Sequence, residues 1–280
     1  MARKKTTITD LKAKKKKKEK ITMLTAYDYP TALAVDQAGI DAILIGDSVA
    51  MVVLGLENTL PMTMEEMIHH TKAVSRGTRY AHIIADMPFM SYNTSKGEAI
   101  RNAGRFLKEA GADAVKLEGG ITVAEEVSAI VRAGIPVMGH IGLTPQTISL
   151  LGGFKTQGKN AEGARKLIED AKILETAGAY AIVIEAIPAP IAKLITEAVS
   201  IPTIGIGAGK DCDGQVLVTH DLLGLFDRFV PKFVKQYTNL KKEMIEAFER
   251  FRKDVIEGEF PSAEHCFVIE EEEIKKLEGK

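Results

Sequence analysis

Three segments of the chain repeat one pattern: Ala38-Gly39-Ile40-Asp41-Ala42, Ala110-Gly111-Ala112-Asp113-Ala114 and Ala177-Gly178-Ala179-Tyr180-Ala181 each lead into a short apolar run. Each run closes on an acid, at Asp47, Glu118 and Glu185 respectively. A fourth run, His82-Ile83-Ile84-Ala85, closes on Asp86. Ala-Gly after a polar periodic stretch marks a helix C-terminus, because glycine takes the left-handed cap conformation without strain. A short run rich in β-branched residues marks a buried parallel strand. The chain is therefore read as αβ units with acids at the carboxyl ends of strands, where such folds place their active sites.

Eight strands are predicted over 21–26, 40–46, 81–86, 112–118, 135–140, 179–185, 201–206 and 215–218. Capping boxes at Thr63/Glu66, Ser95/Glu98 and Thr122/Glu125 open three of the intervening helices. Two more fall over 161–177 and 190–199, and a charged final helix over 239–257. Strict alternation over about 200 residues without a linker fits one (β/α)8 TIM barrel at 21–262. Periodicity cannot show closure, so an open doubly wound sheet is the alternative.

Composition excludes several classes. With 45% hydrophobic and 27% charged residues among 280, and a net charge of -1, the chain reads as an ordinary globular protein with no global attraction to nucleic acid. No apolar run approaches the roughly 18 residues of a membrane span, and no signal-peptide core follows the basic N-terminus, so a cytoplasmic location is expected. Cys212 and Cys266 are too few for a disulfide framework and form no zinc pair. Lys12 and Lys14 to Lys18 repel one another, so residues 1–20 are expected as a solvated tail or frayed helix. A nucleic-acid-binding scaffold is the competing non-enzymatic account of that run, but no aromatics interleave it. The acidic stretch at Glu270 to Glu273 lies in an extension over 263–280, and the opposite charges of the two ends are expected to help pack subunits.

In a closed barrel, Asp47, Asp86 and Glu118 finish three adjacent strands about 4.8 Å apart, so their side chains converge at the carboxyl rim. Oxygen donors around an open mouth select a hard divalent cation, magnesium over a closed calcium cage. The competing account of any one acid is a helix N-cap. Lys116 lies two residues before Glu118 and shares its face. It is either a barrel-internal salt bridge or a contact for an anionic substrate. Glu185, across the barrel, is placed as a general base, with its proton affinity raised by the surrounding isoleucines. His140 is flanked by glycines expected to leave its ring uncrowded, and is either a satisfied core histidine or a substrate contact. Gly205-Ile206-Gly207-Ala208-Gly209 is either a phosphate loop or a tight turn, and no role is assigned to His69-His70.

Taken in order, Leu24-Thr25-Ala26-Tyr27-Asp28, Gly46-Asp47-Ser48, Pro61-Met62-Thr63, Ala85-Asp86-Met87-Pro88-Phe89, Val115-Lys116-Leu117-Glu118-Gly119-Gly120, Gly139-His140-Ile141-Gly142-Leu143-Thr144-Pro145-Gln146, Glu185, the 205–209 glycines and Asp213-Gly214-Gln215-Val216-Leu217-Val218 closely resemble the ketopantoate hydroxymethyltransferase family over roughly residues 20 to 262. The resemblance implies a magnesium-dependent (β/α)8 barrel of the phosphoenolpyruvate/pyruvate-like superfamily. It implies one-carbon transfer from 5,10-methylenetetrahydrofolate to 3-methyl-2-oxobutanoate, giving 2-dehydropantoate on the route to pantothenate and coenzyme A. It also implies a homodecamer. Carried over by position, Asp47, Asp86 and Glu118 form the metal sphere, some through water. Ser48 and Lys116 hold the oxo acid, to which Asp47 and Asp86 also belong; His140 lies near the product hydroxyl, and Glu185 accepts the proton. A carbon–carbon lyase or mutase of the same superfamily is the enzymatic alternative, but such enzymes commonly carry a cysteine after strand four, where this chain has Glu118-Gly119-Gly120.

Overall fold

A computed structural model describes residues 3–153 and 155–279. Eight parallel strands, β1 (Ile21–Thr25), β2 (Ala42–Ile45), β3 (His82–Asp86), β4 (Ala114–Glu118), β5 (Val137–Gly142), β6 (Ala181–Glu185), β7 (Thr203–Ile206) and β8 (Gly214–Leu217), pair in sequence order. Closure comes from β8 returning to β1, with Met23 opposite Val216, which excludes the open sheet. Strand alternation divides the apolar residues into two cores. Met23, Leu44, Ile84, Met138, Val183 and Val216 fill the barrel, while Ile45, Ile83, Leu117, Ile141 and Ile184 pack outward against the helices.

Local chemistry sets the helix starts in two of the three predicted capping boxes. Thr63 caps Met64–Gly77, with the Glu66 carboxylate returning to the Thr63 backbone. Ser95 accepts from the Glu98 N–H at the start of Lys96–Ala110, but the Glu98 side chain turns to the Thr94 hydroxyl. The third box does not form. Residues Ile121–Val123 make a 3₁₀ turn, and the helix Ala124–Arg132 starts beyond it without a side-chain cap. The Glu125 carboxylate pairs instead with Lys96 at 2.6 Å, and Asp170 Oδ1 accepts from the adjoining Ile121 N–H at 2.8 Å. The helices Ala161–Thr176, Ala189–Ala198 and Leu240–Glu257 agree with their predicted spans to within a residue or so.

The amino-terminal lysines depart from expectation, because Ile8–Lys17 is an ordered helix across the lower end of the barrel. Thr7 and Asp10 form its capping box, and Leu11, 1% exposed, enters the same core as Ile21, Ala42 and Ile84. Acids preceding alternate strands receive its charges. Asp41, Asp113 and Asp213 each accept a backbone N–H from the preceding strand or its start, at Thr22, Ile83 and Thr203. Lys14, Lys5 and Lys15 pair with them at 2.6, 2.8 and 2.9 Å. These three cations are used within the chain. Beyond β8 the chain leaves the barrel, and none of the residues of Leu240–Glu257 is buried.

Truncating Leu11 to alanine empties the bottom of the barrel while leaving the lysine pairs in place. Chemical denaturation should show a loss of about 2–5 kcal/mol; a change below about 1 kcal/mol would mean that the helix merely lies on the surface.

Candidate active site

The upper rim gathers the predicted acids because β2, β3 and β4 are neighbours in register, with Asp86 opposite Lys116 and Glu118 opposite His140. Asp47, Asp86, Lys116, Glu118 and His140 are each at most 5% exposed and face one cavity of about 390 Å³, which Ser48 and Glu185 also line. The Asp47 N–H donates to Asp86 Oδ2 at 3.1 Å, joining the two loop ends directly. A Cβ at Gly46 would stand 2.9 Å from Ser48 Oγ, so the glycine leaves room for the Ser48 hydroxyl. Ser48 Oγ lies 2.8 Å from the Tyr27 hydroxyl.

Lys116 links the acids to the opposite side of the barrel. Its Nζ is 3.1 Å from Asp86 Oδ1 and 3.1 Å from His140 Nδ1. The imidazole in turn lies 3.4 Å from Glu118 Oε1 and, through Nε2, 3.2 Å from Glu185 Oε2. Lys116 makes an internal salt bridge and also lines the cavity. His140 is a bridge between two carboxylates. The neighbouring glycines do not clear its ring, contrary to expectation. A Cβ on Gly139 would meet Leu174 at 2.8 Å, and one on Gly142, where φ is +99°, would meet the Glu185 carbonyl oxygen at 2.2 Å. They allow strand and helix to approach closely instead.

Sequence reasoning gave no role to Gln146, which organises the acids. Its Nε2 donates to Asp47 Oδ2 at 2.9 Å and to the Met87 carbonyl at 3.0 Å, while its backbone N–H donates to Glu118 Oε2 at 2.9 Å. The Tyr92 hydroxyl donates to Gln146 Oε1 at 2.7 Å. Gln146 sits in a 3₁₀ turn after β5 and Tyr92 in the loop after β3, so no strand periodicity points to either. Of the glycines after β7, Gly207 at φ +62° would place a Cβ 2.6 Å from the Phe233 ring, an approach its missing side chain allows.

Electrostatics follow from crowding. Burial, then the charges of Glu118 and Asp86, push Asp47 up to about 8. Burial also raises Asp86, although Lys116 opposes the shift. Lys116 is held above its ordinary value because the three surrounding carboxylates outweigh its burial. Burial likewise opposes ionisation of Glu118, but His140 and Lys116 hold it below the usual range. Burial and Lys116 disfavour the His140 cation, yet its bonds to Glu118 and Glu185 prevail and push it up to about 9. Glu185 is less enclosed than its isoleucine neighbours imply, keeping 17% side-chain exposure.

The donor set fits a hard divalent ion. Asp86 Oδ1 is fully buried with the Lys116 ammonium at 3.1 Å as its partner, and the proton affinities of Asp47 and Asp86, raised first by burial and then by neighbouring carboxylates, are what a bound cation would lower. Among the described residues no group of three or more His, Cys, Asp or Glu side chains is drawn together closely enough to hold a metal ion as it stands, so a cation would have to gather these carboxylates. Glu118 is held by the Gln146 N–H and lies beside the His140 ring.

A family model described as ketopantoate hydroxymethyltransferase matches residues 5–263. The chain belongs to the ketopantoate hydroxymethyltransferase family. Relatives named 3-methyl-2-oxobutanoate hydroxymethyltransferase include one from Clostridium botulinum (strain Langeland), 59% identical over 97% of this chain and 98% of its own. Another, from Syntrophobacter fumaroxidans, is 61% identical over 94% of both chains. Among solved structures, a phosphonopyruvate hydrolase in complex with oxalate and Mg++ aligns with a TM-score of 0.62 at 14% identity, covering 98% of this chain and 95% of that chain. A 2,3-dimethylmalate lyase of the PEP mutase/isocitrate lyase superfamily aligns equally well at 15% identity, covering 97% and 91%. At these identities the likeness extends to the barrel, whereas family membership makes this chain an enzyme of the ketopantoate hydroxymethyltransferase type. No helix among the described residues is long and apolar enough to cross a membrane.

The charge crowding gives this family member a pH signature. Asp47, raised to about 8, holds its proton in the folded state between its unfolded value near 4 and 8, and His140, raised to about 9, does so between 6.5 and 9. More protons are then bound folded than unfolded, so metal-free stability should fall as pH rises from 5 to 9. Magnesium should flatten that decline in paired denaturation curves with Mg²⁺ and with a chelator; identical slopes would remove the acids as a cation site.

Proposed function

We propose that this protein transfers a one-carbon unit from 5,10-methylenetetrahydrofolate to 3-methyl-2-oxobutanoate, giving 2-dehydropantoate and tetrahydrofolate, the step that commits carbon to pantothenate and coenzyme A. The observation that carries the reading is the line from Asp86 through Lys116 and His140 to Glu185 within one cavity. It puts an acid cluster and a cation at one wall and a carboxylate at the other.

Asp47 and Asp86 would hold magnesium directly and Glu118 through water; bound there, the ion would polarise the keto group of the oxo acid as a Lewis acid. Lys116, kept charged by its carboxylates, binds the anionic end of the oxo acid, and the Ser48 hydroxyl, fixed by Tyr27, adds a second contact. Glu185 removes the C3 proton. The methylene–N10 bond of the folate opens with its electrons going to N10, which takes a proton, and leaves an iminium at N5. The electron pair left on C3 bonds to the methylene carbon as the iminium pair moves to N5. Water then displaces N5, its oxygen becoming the new hydroxyl and its proton going to nitrogen to give tetrahydrofolate. His140 positions Glu185 through Nε2, within reach of the new hydroxyl group.

The reading includes a homo-oligomer, the decamer of the resemblance, in the cytoplasm. Its support on this chain is the helix Leu240–Glu257, where Ile245, Phe248 and Val255 are 47%, 62% and 48% exposed on one side.

Deuterium exchange at C3 of the oxo acid, with and without Mg²⁺ and followed by product formation with the folate, tests metal, base and substrate together. Glu185→Gln should keep oxo-acid binding while exchange falls by about 10²–10⁴-fold. Asp86→Ala should weaken both. Normal exchange in the glutamine variant would remove Glu185 as the base.

A further inference from the structure

The cavity extends past Lys116 toward β8, where it contains a charged group that the steps above leave unused. Asp221 lies in the single helical turn Thr219–Leu222 directly after β8, is 7% exposed and lines the cavity. Its carboxylate has no hydrogen-bond or ion-pair partner among the described residues, and burial alone raises it to about 6. The turn is fixed independently of that carboxylate. The Thr219 N–H donates to Thr25 Oγ1 at 3.0 Å, and the Thr219 hydroxyl donates to the Thr25 carbonyl.

The neighbouring walls are apolar, formed by Val218, Phe226, Phe229 and Phe233. Gly207, in its left-handed conformation, leaves the space that the Phe233 ring occupies. Lys155 and Lys232 line the same cavity, both exposed and without a carboxylate partner among the described residues. A volume of about 390 Å³ is of the order that encloses a ligand far larger than a five-carbon oxo acid.

A buried carboxylate in an apolar wall is costly unless a ligand supplies donors, and its two oxygens match two adjacent N–H groups on a planar heterocycle. We propose that Asp221 recognises the pterin of the folate co-substrate, accepting hydrogen bonds from its ring N3–H and 2-amino group. The aromatic walls face the flat portion of the folate, and Lys155 and Lys232 meet its glutamate carboxylates. This assignment rests on the one-carbon transfer proposed above.

The test separates folate recognition from the chemistry of the oxo acid. In Asp221→Asn the KM for 5,10-methylenetetrahydrofolate should rise about 10- to 100-fold. C3 deuterium exchange of the oxo acid, a partial reaction without folate, should proceed at the wild-type rate, which also shows the variant is folded. A tetrahydrofolate analogue lacking the 2-amino group should bind wild type about tenfold more weakly than tetrahydrofolate by calorimetry, with most of that difference gone in the variant. Lys155→Ala with Lys232→Ala should raise the KM of a triglutamate folate more than that of the monoglutamate. An unchanged folate KM in Asp221→Asn, beside normal transfer by wild type, overturns the assignment alone; so does loss of C3 exchange in that variant. Wild-type protein that neither binds nor uses the folate overturns the transfer reading as well.

Discussion

Lys116 against Asp86 is the contact on which the upper rim depends. A lysine inside a barrel has lost its water, and only close carboxylates make its charge tolerable there. Asp86, Glu118 and Asp47 supply them, and His140, whose Nδ1 stands 3.1 Å from the ammonium, is fixed between Glu118 and Glu185. The same pair leaves the acids in excess. One lysine and one histidine stand against three crowded carboxylates, and the cost appears as the raised proton affinities of Asp47 and Asp86. Negative charge and lone pairs are thus kept facing the cavity.

The two ends of the barrel treat acids in opposite ways. At the lower end Asp41, Asp113 and Asp213 are each tied to a strand amide and neutralised by a lysine of the amino-terminal segment, while Leu11 completes the core. Those carboxylates are structural, with their acceptor capacity met inside the chain. At the upper end, Gln146 and the Asp47 backbone satisfy only part of each acid. Rigid pairing below and incomplete pairing above is the division of labour expected of a (β/α)8 barrel, in which loops at the carboxyl face carry chemistry.

Much of this was legible along the chain. The Ala-Gly repeats mark helix ends, the apolar runs mark all eight strands, and the terminal acids fall on neighbouring strands because sequence order is spatial order in a closed barrel. Where the reading failed, a distant group won over a local signal. Thr122 and Glu125 form a local capping pattern, yet the Glu125 carboxylate pairs with Lys96 of the preceding helix, and Asp170, 49 residues from Ile121, takes the adjoining amide. The lysine run repels itself in isolation, but barrel-bottom acids from strands far apart in sequence order three charges of the segment. Gln146 had no readable role because its value lies in touching Asp47, 99 residues away, and Glu118 at once.

By itself the sequence determined the αβ alternation, the strand positions, the family and the acids at the strand ends, since periodicity and covalent order are local properties. The tertiary structure alone decided that β8 closes on β1, that Lys116 lies between Asp86 and His140, that the amino-terminal helix seals the barrel, and that Asp221 faces the cavity without a partner. Each of those depends on distances between residues far apart in the chain, set by closing and packing the barrel.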